Sequence, residues 1–231
     1  MIKAMEYTKE TTDRFLNLYR QLEAIRGNNP ALFAYYQRKY GDQFEQFRAL
    51  RNLLSHEEYG GGYPIAISSQ IVSSFQRILE QMGLSAYEVS TKRIESLQER
   101  SLLSEAFSLF ADKGYGYLPI LRQKKTVLGV ITPQKLISLQ SKVEGLPAYK
   151  VSSFLPEFSL GNQSKRFHFL RRNAPLYEAE ELFLQAGSKR VGLLFLTEHG
   201  KEEESLLSLL SVYDVLKKTR KDSEGRSLPL E

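Results

Sequence analysis

Between residues 12 and 83 the apolar positions recur at helical spacing. Phe15, Leu18, Tyr19, Leu22 and Ile25 fall on one face, and "RGNNP" (26–30) supplies a stop, with Pro30 suited to open the next helix. A second stretch carries Phe33, Tyr36, Tyr40, Phe44, Phe47, Leu50 and Leu54, with Gly41 marking a break near its middle. The glycines of "EYGGGYP" (58–64) end it. A third helix follows Ser68 as N-cap, presents Ile71, Val72, Phe75, Ile78, Leu79 and Met82, and stops at Gly83. Amphipathic helices of this size bury their apolar faces only against one another, so the pattern predicts a small bundle. The aromatic positions at this spacing are core or a dimer face rather than a stacking platform. Asp42 and Glu45 read as a solvated face.

From about residue 88 the pattern changes to short strand-like runs separated by helices, and the runs repeat. Aligned without a gap, "LLSEAFSLFADKGYGYLPIL" (102–121) and "PLYEAEELFLQAGSKRVGLL" (175–194) pair Glu105 with Glu178, Ala106 with Ala179 and Gly114 with Gly187, an offset of 178 − 105 = 73. In each copy the spacing predicts a helix ending at that glycine and then a strand, "YLPIL" or "RVGLLFL". A further strand runs into a helix in "TVLGVITPQKLISL" (126–139) and "SLLSLLSVYDVLKK" (205–218). Thr132 pairs with Ser211 at an offset of 79, so the second hairpin holds 79 − 73 = 6 extra residues, in "TEHGKEEE". First strands are expected at "RIESL" (93–97) and "HFLRR" (168–172). Each unit therefore reads strand, helix, strand, strand, helix.

The 231 residues, 42% hydrophobic, suit one large domain or two small ones. Cysteine is absent, which excludes disulfides and thiolate chemistry and favours a cytoplasmic setting. His56, His168 and His199 lie far apart, so no metal is expected. No segment approaches the roughly 18 uninterrupted apolar residues of a membrane span. The net charge of +5 favours an anionic partner, though part of it sits in "KKTRK" (217–221), read as a tail.

The order of elements, with "YLPIL" followed by "LGVIT" and a helix, resembles the cystathionine beta-synthase (CBS) domain, whose copies pair into a Bateman module. Copy two departs from the pattern: Gly192 stands where proline is usual, and no glycine precedes its last strand. The resemblance implies an adenine nucleotide (AMP, ADP, ATP or a relative) bound as a regulatory ligand in a cleft between copies. Its most useful motif is a Thr or Ser ending the last strand with an Asp three residues on, whose carboxylate accepts hydrogen bonds from ribose hydroxyls. Copy two keeps this as Ser211 and Asp214. Copy one has Thr132 but Lys135, which is donor only, so one working site is expected. Lys189 and Arg190 stand where the resemblance implies phosphate contact; a strand-edge cation is the alternative. For Ser211 and Asp214 the alternative is a helix cap with a first-turn acid.

"FRALRNLLSH" (47–56) sets Arg51, Asn52 and His56 at a helix end, the last two one turn apart. Arg-Asn, three residues, then His resembles the signature of HEPN domains, helical bundles that often dimerise. In catalytic members of that family RNA is cleaved without a metal, which would make His56 the acid/base, Arg51 the phosphate clamp and Asn52 a positioning residue. A helix-terminal His is also an ordinary capping arrangement.

The expected fold class is α+β: an N-terminal helical bundle (1–84) followed by CBS units at 85–144 and 167–220, a connector at 145–166 whose hydrophobics pack on something, and a flexible tail at 221–231. The expected function is nucleotide-sensing regulation of the helical domain or of a partner by a homodimer, signalled through "QMGLSAYEVSTK". A ribonuclease gated by the CBS pair, with RNA as its partner, and a degenerate dimerisation scaffold are the alternatives.

Overall fold

The structure is a computed structural model describing residues 9–56, 63–123, 125–161, 166–185 and 191–224, with the side chains of residues 56 and 219–224 outside the description. The chain divides into two compact units, Met1–Leu84 and Ser85–Glu231.

The first unit is helical: α1 (Lys9–Asn28), α2 (Pro30–His56) and α3 (Ser69–Met82). The break expected at Gly41 falls one residue earlier, at Tyr40 (φ −130°, ψ 30°), where α2 bends. Each helix contributes a phenylalanine to one cluster. Phe47 and Phe75 stack at 4.1 Å between ring centroids, and Phe15 meets Phe75 at 5.6 Å and Phe47 at 6.1 Å. Such rings bury large apolar areas and gain further from their offset and edge contacts. The polar rim is satisfied too: Tyr36 donates to the Gln81 carbonyl at 2.9 Å, Thr11 to the Ile67 carbonyl at 2.6 Å, and the Ser68 hydroxyl caps α3 by accepting from the Ile71 N–H.

The second unit opens with the short α4 (Ala86–Val89), then α5 (Leu103–Lys113), β1 (Leu118–Arg122), β2 (Thr126–Ile131) and α6 (Pro133–Gln140). The connector folds into two 3-10 turns, Leu146–Ala148 and Val151–Phe154, and the short α7 (Leu155–Phe158). Copy two follows as β3 (Phe167–Arg171), α8 (Leu176–Phe183), β4 (Leu193–Thr197), β5 (Ser208–Leu210) and α9 (Val212–Glu224). β1 and β2 pair antiparallel; β3 lies parallel to β4, which pairs antiparallel with β5.

Three expectations are corrected. "RIESL" forms no regular strand: only Leu97 bridges to Ile120, and Arg93 and Glu95 stay exposed, so one buried side chain anchors the segment. The helix of copy two ends at Phe183, ahead of Gly187, which lies outside the described residues; in copy one Gly114 (φ 65°) does cap α5. "KKTRK" continues α9 rather than leaving the fold at residue 220. The irregular positions of copy two have packing reasons. A side chain at Gly192 would collide with the Tyr117 hydroxyl, 2.3 Å from where its Cβ would stand. In copy one, a Cβ at Gly129 would lie 2.3 Å from the Phe158 carbonyl oxygen, so the connector crosses the strand at that glycine. The matching place in copy two, at the offset of 79, is Ser208, whose buried hydroxyl lies 2.7 Å from that of Ser90.

The connector is integral to the core. Leu146, Val151 and Phe158 join Leu97, Leu103, Leu118 and Ile131 of copy one, while Leu160 joins Val130, Phe167 and Phe195 in a cluster shared by the two copies. The six extra residues of the second hairpin are held by one carboxylate. Glu204 accepts from the His199 N–H at 2.7 Å and, more weakly, from the Lys201 N–H at 3.4 Å, and it meets the His199 ring at 2.7 Å.

Truncating Phe75→Ala, which leaves a hole among three rings, is expected to cost about 3–5 kcal/mol, read from urea unfolding followed by circular dichroism. Gly129→Ala is expected to lower the melting temperature of the second unit, because the clash is with backbone rather than with a side chain that can turn away. Hydrogen bonds, first that from the His199 N–H, pull the Glu204 carboxyl down to about 2. A carboxyl depressed on folding stabilises above its unfolded value, about 4.3, and loses that contribution as pH falls toward 2. Between pH 5 and 2 the stability of the wild type should therefore fall more steeply than that of Glu204→Gln.

Candidate functional site

The two copies hold each other through the segments that precede them. In the lead of copy one, the Ala86 N–H donates to the Ala174 carbonyl at 2.8 Å, just before α8 of copy two. In the lead of copy two, the Val151 N–H donates to the Ser101 carbonyl at 2.9 Å, just before α5 of copy one. Ala174 and Ser101 are equivalent at the offset of 73. Further along, Thr91 bridges to Leu209 on β5, and Ser159 bridges to Gly129 on β2. Each lead thus crosses to the last strand of the other copy and arrives beside the start of the following helix.

Those helix starts are the candidate site. Ser211 and Asp214 take the N-cap and third positions of α9, where unpaired backbone N–H groups and the helix dipole favour an acceptor. The Asp214 Oδ2 accepts from both the N–H and the hydroxyl of Ser211, at 2.8 and 2.7 Å. Its Oδ1 accepts from the Thr91 hydroxyl at 2.9 Å. The cap reading and the ligand reading are therefore divided between two oxygens of one carboxylate: Oδ2 serves the cap, and Oδ1 points at the lead of copy one. A carboxylate offers about four lone-pair positions, and three donors occupy it here.

Copy one uses the same positions with other chemistry. Thr132 is buried and its hydroxyl accepts from the Lys135 N–H at 3.2 Å, a plain N-cap. The Lys135 ammonium pairs with Glu157 in the lead of copy two. That contact holds the Glu157 carboxyl below its ordinary value. In both copies, then, the third helix residue reaches the opposite lead, as Asp214 to Thr91 and as Lys135 to Glu157. Thr91 and Glu157 were not legible as site residues, because only the crossing of the leads brings them there. The look-alike runs "LSAYEVST" (84–91) and "LPAYKVSS" (146–153) misdirect, since they align at 146 − 84 = 62, whereas Thr91 and Glu157, which meet the equivalent Asp214 and Lys135, differ by 157 − 91 = 66.

Beside Thr91, the Lys92 ammonium lies 4.8 Å and the Arg172 guanidinium 5.0 Å from the centre of the Tyr87 ring, close enough for cation–π attraction. Lys189 and Arg190 lie outside the described residues. Residues 86–142 match the family model of the CBS domain. This CBS domain takes in the lead, α5, β1, β2 and α6 of copy one, about a quarter of the chain; copy two and the helical unit lie beyond the match.

Among curated proteins none is significantly similar to the chain. Solved CBS-domain structures are similar. They include a hemolysin-like protein of Oenococcus oeni (15% identity, 61% of this chain and 93% of that one, TM-score 0.44). The CBS domain of a bacterial CNNM/CorC family Mg2+ transporter in complex with ATP is 16% identical over 68% and 99%, with a TM-score of 0.48. CBSX2 in complex with AMP is 18% identical over 60% and 98%, with a TM-score of 0.44. At these scores the likeness assigns this chain neither a ligand nor a partner.

In the helical unit the structure brings Arg51 and Asn52 together, with an Arg51 Nη1 donating to the Asn52 Oδ1 at 3.2 Å. His56 is the last residue of α2, and its side chain lies outside the described part. Asp42 and Glu45 are exposed, Glu45 lying 3.8 Å from Arg48, as a solvated face requires. Among the described residues no helix is long and apolar enough to cross a membrane.

The Ser90 hydroxyl, 2.7 Å from Ser208, fastens the lead one residue before Thr91. The Ser90 hydroxyl also meets the Tyr87 carbonyl at 2.7 Å, so losing Ser90 strands the buried Ser208 hydroxyl, whereas losing both hydroxyls removes that demand. Ser90→Ala is expected to cost about 1–2 kcal/mol, and Ser90→Ala with Ser208→Gly less than the sum of the two single changes, in a double-mutant cycle read by denaturant unfolding.

Proposed function

We propose that the chain is a regulatory protein whose paired CBS-type units bind an adenine nucleotide at Asp214, with the ribose hydroxyls on its carboxylate. The single observation that carries this is the placement of that carboxylate: at the start of α9, acceptor-only, capped on Oδ2 and directed on Oδ1 toward the lead of copy one. A ribose diol has two donors, and one acceptor position is left. The nucleotide therefore displaces the Thr91 hydroxyl, and the lead that α4 and Thr91 form becomes the element that senses the ligand. Lys189 and Arg190 are the proposed phosphate contacts. Copy one is closed, because an ammonium–carboxylate pair occupies the place of the diol.

A ligand shifts an equilibrium only by its differential affinity for the two states. Here the difference is whether Asp214 is bonded to Thr91 or to the ribose, so binding loosens the lead from α9. We also propose a homodimer. The helices after the two last strands expose apolar side chains at equivalent positions, Ile137 (67% exposed) and Leu216 (53%), an arrangement suited to a second copy.

Calorimetric titration with AMP tests the site: one AMP should bind per chain, and Asp214→Ala should weaken it about tenfold or more, since hydrogen bonds to a charged group are lost. Unchanged affinity in Asp214→Ala would refute the assignment. Thr91→Val should tighten binding a few-fold by removing the competitor. Lys135→Asp together with Glu157→Thr should open copy one and raise the stoichiometry from one to two.

A further inference from the structure

The helical unit holds a second candidate site. Between α1 and α2 a cleft of about 690 Å³ is lined by Tyr19, Arg20, Arg26, Arg48, Arg51 and Asn52. Among the described residues its lining holds four guanidiniums and one carboxylate, that of Glu23, 3.8 Å from Arg26; with Glu45, 3.8 Å from Arg48, two carboxylates stand against four cations. Cations gathered in one concavity repel one another, and an anion relieves that repulsion while its field is focused by the walls. The neutral groups are set as donors as well. Because the Asn52 carbonyl already accepts from Arg51, its amide nitrogen is the end left to serve a ligand. The Tyr19 ring lies 5.8 Å under the Arg51 guanidinium. Burial, then Glu23, pushes the Tyr19 phenol above its ordinary value against the pull of Arg51, Arg48 and Arg26, so at neutral pH it keeps its proton to donate.

The volume lies within the roughly 300–1,000 Å³ of small-molecule sites, which suits a compact ligand rather than an extended strand. Planar guanidiniums match phosphate oxygens two at a time. We infer that this cleft binds a compact oligophosphate, a chain of about three phosphoryl groups, gripped by Arg20, Arg26, Arg48 and Arg51. That chain is either inorganic or the tail of a nucleoside triphosphate. It is independent of the Asp214 site, which needs a ribose.

The test is calorimetric titration of the full chain with inorganic tripolyphosphate at low and at moderate salt, with GTP as the second arm in an Asp214→Ala background. Saturable binding of one tripolyphosphate per chain is expected, weakening with salt and unchanged by Asp214→Ala. Arg51→Ala and Arg20→Ala should each weaken it about tenfold or more, and Arg51→Lys should weaken it less, keeping the charge but losing the fork. Arg77→Ala on α3 should leave it unaltered. GTP bound more tightly than tripolyphosphate, and through Arg51, names the nucleotide as the source; equal affinity names the phosphate chain alone. Binding that ignores Arg51→Ala and Arg20→Ala overturns the proposal. So does Arg51-dependent capture of a single-stranded RNA with none of tripolyphosphate. Loss of nucleotide binding at Asp214 with tripolyphosphate binding intact sinks only the reading of the other unit.

Discussion

The second unit depends on an exchange of backbone hydrogen bonds between the two copies. Neither copy completes its own sheet edge or covers the start of its own first long helix; the segment that leads into the opposite copy does both. The Ala86–Ala174 and Val151–Ser101 bonds are the two halves of that exchange. Exposed strand edges and the unpaired N–H groups at helix starts demand partners; the leads bridge to the last strands, and the Tyr149 carbonyl accepts from the Leu103 N–H at the start of α5. The consequence is a connector built into the hydrophobic core. Leu146, Val151 and Phe158 belong by sequence to the connector but by packing to copy one.

The same exchange makes the candidate site. Asp214 and Thr91 are 123 residues apart and meet only because the lead of copy one is pinned to β5. Lys135 and Glu157 meet for the same reason on the other side. One geometry thus carries two chemistries: a carboxylate facing a neutral hydroxyl, which a diol can replace, and an ammonium facing a carboxylate, which it cannot. On the proposed reading this is a local origin for one open and one closed site within a repeated architecture. In the helical unit the corresponding constraint is the Phe15, Phe47 and Phe75 cluster, which sets α1 against α2 and so gathers four arginines along one cleft.

Much of this was written in local pattern. Helical periodicity located α1, α2 and α3, and the two-copy alignment located β1, β2, β4 and the helices after the last strands, because each depends on apolar spacing within a dozen residues. Where spacing alone was insufficient, the reading failed. "RIESL" has strand-like alternation but a single buried side chain, and "KKTRK" reads as a tail although its backbone continues α9. Gly192 and Ser208, irregular as sequence, are answers to Tyr117 and Ser90 across the fold.

Legible in the residues alone were most of the element types, the repeat, the Ser-x-x-Asp pair at a helix start and the Lys135 that replaces its Asp in copy one. These are properties of residue chemistry and short-range geometry. Tertiary packing set which oxygen of Asp214 belongs to the cap and which faces Thr91, that Glu157 pairs with Lys135, and that arginines from two helices share one cleft. Each is a meeting of residues distant along the chain, fixed by which backbone groups find their hydrogen bonds elsewhere in the fold.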